Sequence, residues 1–174
     1  LVPGGSYRWL AGICGSQILF HFVQQHYSAA LPLLVRDWQM SAGQAGLVTS
    51  AFQIGYAGSL VLLSSLADRV GARRIFLWSS AATTAATALI PLLASSYLSG
   101  LALFALLALS NGGTYTPGLM LLADRFPPER RGTAIGWFLA SASLGYALAL
   151  SVAGVLVSRV GWRGTLWVLA LCPF

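Results

Sequence analysis

Along the chain, hydrophobic positions gather into five long runs separated by short polar gaps. The runs span roughly Leu10 to Leu34, Ala42 to Leu66, Ile75 to Ala94, Leu98 to Ala123 and Thr133 to Val157, and a sixth begins near Thr165 and is lost at Phe174. About 20 apolar residues in helical form cross a bilayer core about 30 Å thick. Each full run therefore predicts one membrane-spanning helix. The gaps hold the loop formers and the charge: Arg36, Asp37 and Trp38, then Asp68 to Arg74, Ser95 to Ser99, Asp124 to Gly132, and Ser158 to Gly164. No gap has room for a second domain. The pattern predicts an all-α integral membrane protein, a polytopic transmembrane helix bundle over residues 9–174 behind an N-terminal tail of residues 1–8.

Composition agrees. Hydrophobic residues make up 57% of the 174 positions and charged residues only 8%, with a mean hydropathy of +0.75, whereas a soluble domain carries about 25% charged residues. Such a chain has too little charge to cover a water-facing surface. The formal charge of +6 comes from ten basic residues, all Arg, against Asp37, Asp68, Asp124 and Glu129. These arginines sit in the gaps between apolar runs, where they set topology, so nucleic acid is not an expected partner. Alternation of the helices puts Arg8, Arg69, Arg73, Arg74, Arg125, Arg130 and Arg131 on one side and Arg36, Arg159 and Arg163 on the other. Because Lys and Arg resist translocation, the N-terminus and the second and fourth loops are expected in the cytoplasm, with a bacterial inner (plasma) membrane as the expected location. Cys14 and Cys172 lie inside apolar runs without metal-like spacing, which favours packing as small hydrophobes. Leu1 to Ser6 resembles the remnant of a protease cleavage site, with Gly4 where such a site has Arg. No cleaved signal peptide is apparent, so the first helix is expected to direct membrane insertion.

One segment recurs. Arg69-Val70-Gly71-Ala72-Arg73 returns as Arg159-Val160-Gly161-Trp162-Arg163, 90 residues and three helices later. Three is an odd number, so the copies face opposite sides of the membrane. Inverted three-helix repeats are how many secondary transporters build a central site that opens to either face.

The loop Leu66-Ala67-Asp68-Arg69-Val70-Gly71-Ala72-Arg73-Arg74 resembles the motif that the major facilitator superfamily carries between its second and third helices. It departs from that motif at Ser64, where the leading Gly would stand, and at Ala72, where the first Arg after the central Gly would stand. Ala123-Asp124-Arg125-Phe126-Pro127-Pro128-Glu129-Arg130-Arg131-Gly132 resembles the second cytoplasmic loop of the family, and Gly161-Trp162-Arg163 its usual lead into helix six. The resemblance implies the N-terminal six-helix half of such a transporter, cut off as helix six begins, with helices one and four lining a substrate cavity. It also implies that Asp68, with Arg69, Gly71, Arg73 and Arg74, forms a conformational latch that holds the cytoplasmic side shut. Asp124, Arg125, Glu129, Arg130 and Arg131 either contribute to such contacts or only solvate the loop. Drug/proton antiporters of the family carry an Arg in helix four and a Gly-Pro element in helix five. Here Ala108 aligns with that Arg and Tyr146 follows Gly145.

The polar residues inside the spans are the candidate chemistry. At 100° per residue, Gln17, His21, Gln24 and Ser28 fall within about 60° on one face of helix one. Such a stripe either bonds neighbouring helices or lines a water-filled cavity. Asn111, Thr114 and Tyr115 form a matching stripe in helix four, Asn111 standing 90 residues after His21. Helix two adds Thr49, Gln53 and Tyr56 on one face and the small residues Ala51, Gly55 and Gly58 on another. In helix three the hydroxyls of Ser80, Thr83, Thr84 and Thr87 are expected to bond their own backbone. Pro117 is expected to bend helix four, and Pro91 to end helix three.

No Asp, Glu or Arg lies mid-span. His21 is the one mid-membrane group of the type that titrates near physiological pH. His26, about 140° round the helix, cannot share a metal with it. No metal, no cofactor and no enzymatic constellation is expected. The reading is a secondary active or facilitative transporter half that moves a small organic solute by alternating access. Its expected partners are the bilayer, the solute, and a C-terminal half or a second copy. The alternative is a helical membrane module that binds or anchors a partner and transports nothing.

Overall fold

The computed structural model describes residues 5–170, folded as α1 (Gly5–Asp37), α2 (Ala42–Val70), α3 (Ala72–Leu93), α4 (Tyr97–Arg125) and α5 (Pro128–Ala170). Helix α1 starts at Gly5, so part of the segment expected to be a tail belongs to its first turn. Residues 1–4 and 171–174, including Cys172, lie outside the described residues. By length and composition α2, α3, α4 and α5 can each cross a membrane. At 33 residues α1 is long enough, but Gln17, His21, Gln24, Gln25 and His26 dilute its apolar character.

Short, well-capped joints set the helix order. Ser41 caps α2 by accepting from the Gln44 backbone at 3.2 Å, while the Gln44 side chain accepts from the Ser41 backbone at 2.9 Å. Ser96 and Ser99 form the same reciprocal cap on α4. Such a box satisfies two amide donors that a helix start otherwise leaves unpaired. At the opposite end, one residue, Gly71, separates α2 from α3 with φ 102° and ψ 132°. Gly161 breaks α5 with φ 71° and ψ 171°. These are the two positive-φ glycines among the described residues, in a region open to glycine and strained for side chains. They stand at matching positions of the recurring Arg-Val-Gly segment, which makes that repeat conformational as well as textual.

Packing carries the repeat further. Helix α1 packs mainly along α5, and α2 along α4. These pairs exchange when each helix is moved on by three. At the α2·α4 crossing, a Cβ on Gly55 would lie 3.4 Å from Ala108, and at the α1·α5 crossing one on Gly145 would lie 2.8 Å from the Ile18 Cα. Both partners are related by the same 90-residue offset, 55 to 145 and 18 to 108. The sequence carries a signal for this that the loop repeat overshadows: Gly55-Tyr56-Ala57 recurs as Gly145-Tyr146-Ala147.

Close helix contact rests on small residues, as it does where lipid supplies no hydrophobic drive between helices. On α4, Gly112 meets Ser59 and Leu60 of α2, Gly113 meets Ser79 of α3, and Gly118 meets Phe138 of α5. Ser59 donates across to the Ala108 carbonyl at 3.2 Å. Three hydroxyls of helix α3 bond their own backbone as expected, Ser80 to Phe76, Thr84 to Ser80 and Thr87 to Thr83, whereas Thr83 instead donates across to Ser110 of α4 at 3.4 Å. Pro32 and Pro117 sit inside α1 and α4, and Pro91 inside α3, two residues before its end.

The end of the bundle opposite the Gly71 joint is tied by aromatics. Trp38 and Trp162 meet edge to face at 5.7 Å, and the Trp162 Nε1–H donates to the Asp37 carboxylate at 2.8 Å. Arg163 lies over the Trp162 ring at 4.5 Å and donates to the Ala94 carbonyl at 3.2 Å. Two loops and the Gly161 break are thereby joined.

Candidate functional site

Midway along the bundle, α1, α2, α4 and α5 leave a cavity of about 420 Å³. Helix α1 supplies His21, Gln24, Gln25, Tyr27 and Ser28, and α2 supplies Thr49, Phe52, Gln53 and Tyr56; Tyr115 of α4 and Tyr146 of α5 complete the lining. A neighbouring space of about 410 Å³ shares His21, Tyr115 and Tyr146 and adds Leu139, Ala142 and Ser143. No charged residue lines either space.

Several of these polar groups are already engaged. Tyr27 donates its hydroxyl to the Ala45 carbonyl at 2.9 Å and packs edge to face on Phe104, tying α1 to α2 and α4. Thr49 donates to the same carbonyl at 3.3 Å. The His21 Nδ1 lies 2.9 Å from the Gln17 carbonyl, which can only accept. The proton therefore sits on Nδ1, and Nε2 is left as an acceptor in the neutral ring. The side chains of Gln24, Gln25, Gln53, Tyr56, Tyr115 and Tyr146 make no hydrogen bond with other described residues. Tyr56 stacks on Phe52 at 6.5 Å with planes 15° apart, which fixes its ring at the cavity edge. Three amides, three phenols and the Nε2 of one imidazole are thus held on rigid helices and left uncommitted.

Of the residues singled out from sequence, His21, Gln24, Gln53, Tyr56 and Tyr115 line this space, whereas Gln17, Asn111 and Thr114 do not. Those three are buried at 1%, 2% and 2% exposure. Thr114 donates to the Asn111 carbonyl and amide oxygen at 2.8 and 3.2 Å, so the Thr114 hydroxyl and the Asn111 amide oxygen are engaged inside α4. A 100° projection finds the polar face of a helix but cannot tell which part of it a neighbour covers. Gln25, Tyr27, Phe52 and Tyr146 were missed; the Gly-Tyr-Ala recurrence marks Tyr146, and Gln25 stands 90 residues before Tyr115. His26 is fully buried, and neither ring nitrogen has a partner among the described residues.

At the Gly71 end, Asp68, Arg69, Arg73 and Arg74 are exposed around the joint. Asp68 makes no hydrogen bond or ion pair with another described residue. Arg73 and Arg74 occupy the first turn of α3, where the helix dipole disfavours cations by a few tenths of a kcal/mol to about 1 kcal/mol. Their placement is not explained by the stability of α3 itself. Across the next joint, Arg125 covers the Trp9 ring at 4.8 Å and Arg130 donates to the Tyr7 hydroxyl at 3.2 Å. Asp124, Glu129 and Arg131 face solvent.

The family model described as Major Facilitator Superfamily matches residues 13–172. The chain belongs to the Major Facilitator Superfamily. As a member it is a multi-pass integral membrane protein, in keeping with its apolar helices. Among curated relatives, the uncharacterized transporter YgaY of Escherichia coli O157:H7 is 32% identical over 147 residues, covering 79% of this chain and 34% of that protein. The Cupriavidus necator protein named "Probable sulfoacetate transporter SauU" is 30% identical over 161 residues, covering 90% and 37%. The Mycobacterium bovis "Multidrug efflux pump Tap" is 30% identical over 153 residues, covering 81% and 36%. The chain spans about a third of the length of these superfamily relatives.

Proposed function

We propose that this chain is the N-terminal half of a solute transporter, moving a small hydrogen-bonding organic molecule by alternating access between two six-helix bundles. The observation that carries the proposal is the set of uncommitted amides and phenols, with the free Nε2 of His21, around the 420 Å³ cavity. Polar groups at membrane depth cost free energy unless a partner or water satisfies them, and a passing solute is such a partner. The transporter names of the relatives support the same reading. Sulfoacetate is anionic, and this wall supplies no cation. An anionic solute would take its counter-charge from the other half.

In this reading Asp68 and the arginines around Gly71 form the latch. The exposed carboxylate meets the positive end of a helix in the C-terminal half and holds one side closed, an interaction worth about 0.3 to 1 kcal/mol at a helix terminus. That is enough to bias a balance between two states without touching the cavity. The arginine excess places this end, and the N-terminus, in the cytoplasm, and a bacterial inner membrane is the setting.

The test is flux in proteoliposomes across a panel of sugars, amino acids and organic anions, with this chain alone and with the C-terminal half co-reconstituted. Transport that requires both halves, together with solute-dependent protection of His21→Cys from a thiol reagent, is the expected result. Transport by the isolated chain as a strict monomer, or the absence of transport and protection with both halves present, would overturn the proposal.

A further inference from the structure

A second and larger cavity, about 760 Å³, lies near the Gly71 end between α1, α3 and α4. Its lining divides by chemistry. Arg73, Asp124 and Arg125 supply charge, while Trp9, Ile13, Phe76, Leu77 and Leu121 form an apolar wall. Trp9 is stacked beneath Arg125 at 4.8 Å, the kind of aromatic that settles at headgroup level in a bilayer. Neither arginine forms an ion pair with Asp124 or with any other described residue. Two guanidinium groups and one carboxylate leave a net positive charge. The solute cavity shares none of these residues.

We propose that this cavity binds one anionic phospholipid of the adjoining leaflet, its phosphodiester on Arg73 and Arg125 and its acyl chain along the outer face of α3. A guanidinium offers a planar fork of donors that suits phosphate oxygens. Asp124 accepts hydrogen bonds only, so it can pair with headgroup hydroxyls or an ammonium; the net positive charge left by two arginines against one carboxylate is what favours an anionic headgroup such as phosphatidylglycerol. The path for the chain begins at Leu77, at once a wall of the cavity and 53% exposed. From Leu77 the exposed apolar stripe runs through Ala81, Ala85 and Leu89. At 1.5 Å per residue this stripe covers about 18 Å, comparable with one leaflet of a core about 30 Å thick. Headgroup pocket and acyl track are therefore continuous and in register.

Native mass spectrometry of the purified, delipidated protein tests this, with phosphatidylglycerol, phosphatidylethanolamine, phosphatidylcholine or inorganic phosphate titrated in turn. The expected result is one tightly retained phosphatidylglycerol, weaker adducts with the two zwitterionic lipids, and no competition by millimolar phosphate. Arg73→Gln and Arg125→Gln should each weaken phosphatidylglycerol binding about fivefold, the ordinary worth of one arginine against an anionic lipid surface. Leu77→Asn, at a lipid-facing position on the acyl track, should weaken lipid binding, and Arg36→Gln at the far end should leave it unchanged. Equal retention of all three lipids, or unchanged binding in both arginine variants, would overturn the proposal. Displacement by free phosphate would assign the site to a soluble anion and overturn the lipid reading.

Discussion

The α1·α5 crossing makes a prediction whose sign changes along one helix. Gly136, Gly145 and Gly154 all lie inside α5, and in a helix interior glycine is less favourable than alanine by roughly 0.5 to 1 kcal/mol. An added Cβ at Gly136 or Gly154 meets nothing within 4 Å. Gly136→Ala and Gly154→Ala should therefore each stabilise by about that amount. At Gly145 the new carbon would lie 2.8 Å from the Ile18 Cα and 3.2 Å from both the Ile18 carbonyl and the His21 Cβ. Backbone cannot rotate away, so α1 must move, and overpacking of this kind costs typically 1 to 3 kcal/mol. The cost exceeds the helix-propensity gain, and Gly145→Ala should destabilise by about 1 kcal/mol. At roughly 2 to 4 °C per kcal/mol for a chain of this size, its melting temperature in detergent should fall while those of the other two variants rise. Gly55→Ala, with 3.4 Å clearance to Ala108, should behave like the two permissive sites. A Gly145→Ala protein that melts with or above Gly136→Ala would refute the close α1·α5 approach, and with it the placement of His21 at the cavity.

His21→Ala should weaken solute binding by about 1 to 3 kcal/mol if a solute group is left unpaired, measured by equilibrium binding; Asn111→Ala, whose partner is Thr114, should lower stability and leave affinity within a few-fold. Asp68→Asn should slow exchange while affinity holds, read from flux and binding on one preparation; a large affinity loss with normal exchange would place Asp68 elsewhere in the mechanism. Trp162→Phe removes the donor to the exposed Asp37 carboxylate and should lower stability by about 1 kcal/mol, seen as a lower melting temperature; an unchanged melting temperature would show that this tie is not formed.

Much of the fold was legible because apolar length is a strong signal: α1 to α4 begin and end within about five residues of the limits read from the runs, and Ser41 and Ser96 cap where polar gaps predicted starts. Helix α5, by contrast, runs on past Val157 to Ala170 through the expected gap, broken only at Gly161. The Gly71 and Gly161 breaks were legible only as a recurring word, since the sequence shows a glycine and not its φ. The cavity was half legible. Periodicity placed Gln17, His21 and Gln24 on one face of α1, but which of them stays open depends on what packs above it, and Gln17 is covered. The same limit hid the burial of Asn111 and Thr114 within α4. Tyr146 escaped because an aromatic in an apolar run looks like core until its offset from Tyr56 is noticed. The Arg125–Trp9 stack joins residues 116 positions apart, from 9 to 125, and no local pattern announces it.

The central claim is that the space lined by His21, Gln53, Tyr56 and Tyr146 is one wall of a path open alternately to either side of the membrane. Single cysteines at 21, 53, 56, 111 and 146, placed in a Cys14→Ser, Cys172→Ser background of the chain joined with its C-terminal half, test this directly. An impermeant thiol reagent is applied from each face of oriented vesicles. The account predicts labelling at 21, 53, 56 and 146 from both faces, with solute slowing the reaction, and none at 111 from either. Labelling of the four cavity positions from one face only, or labelling at 111 as fast as at 21, would contradict it.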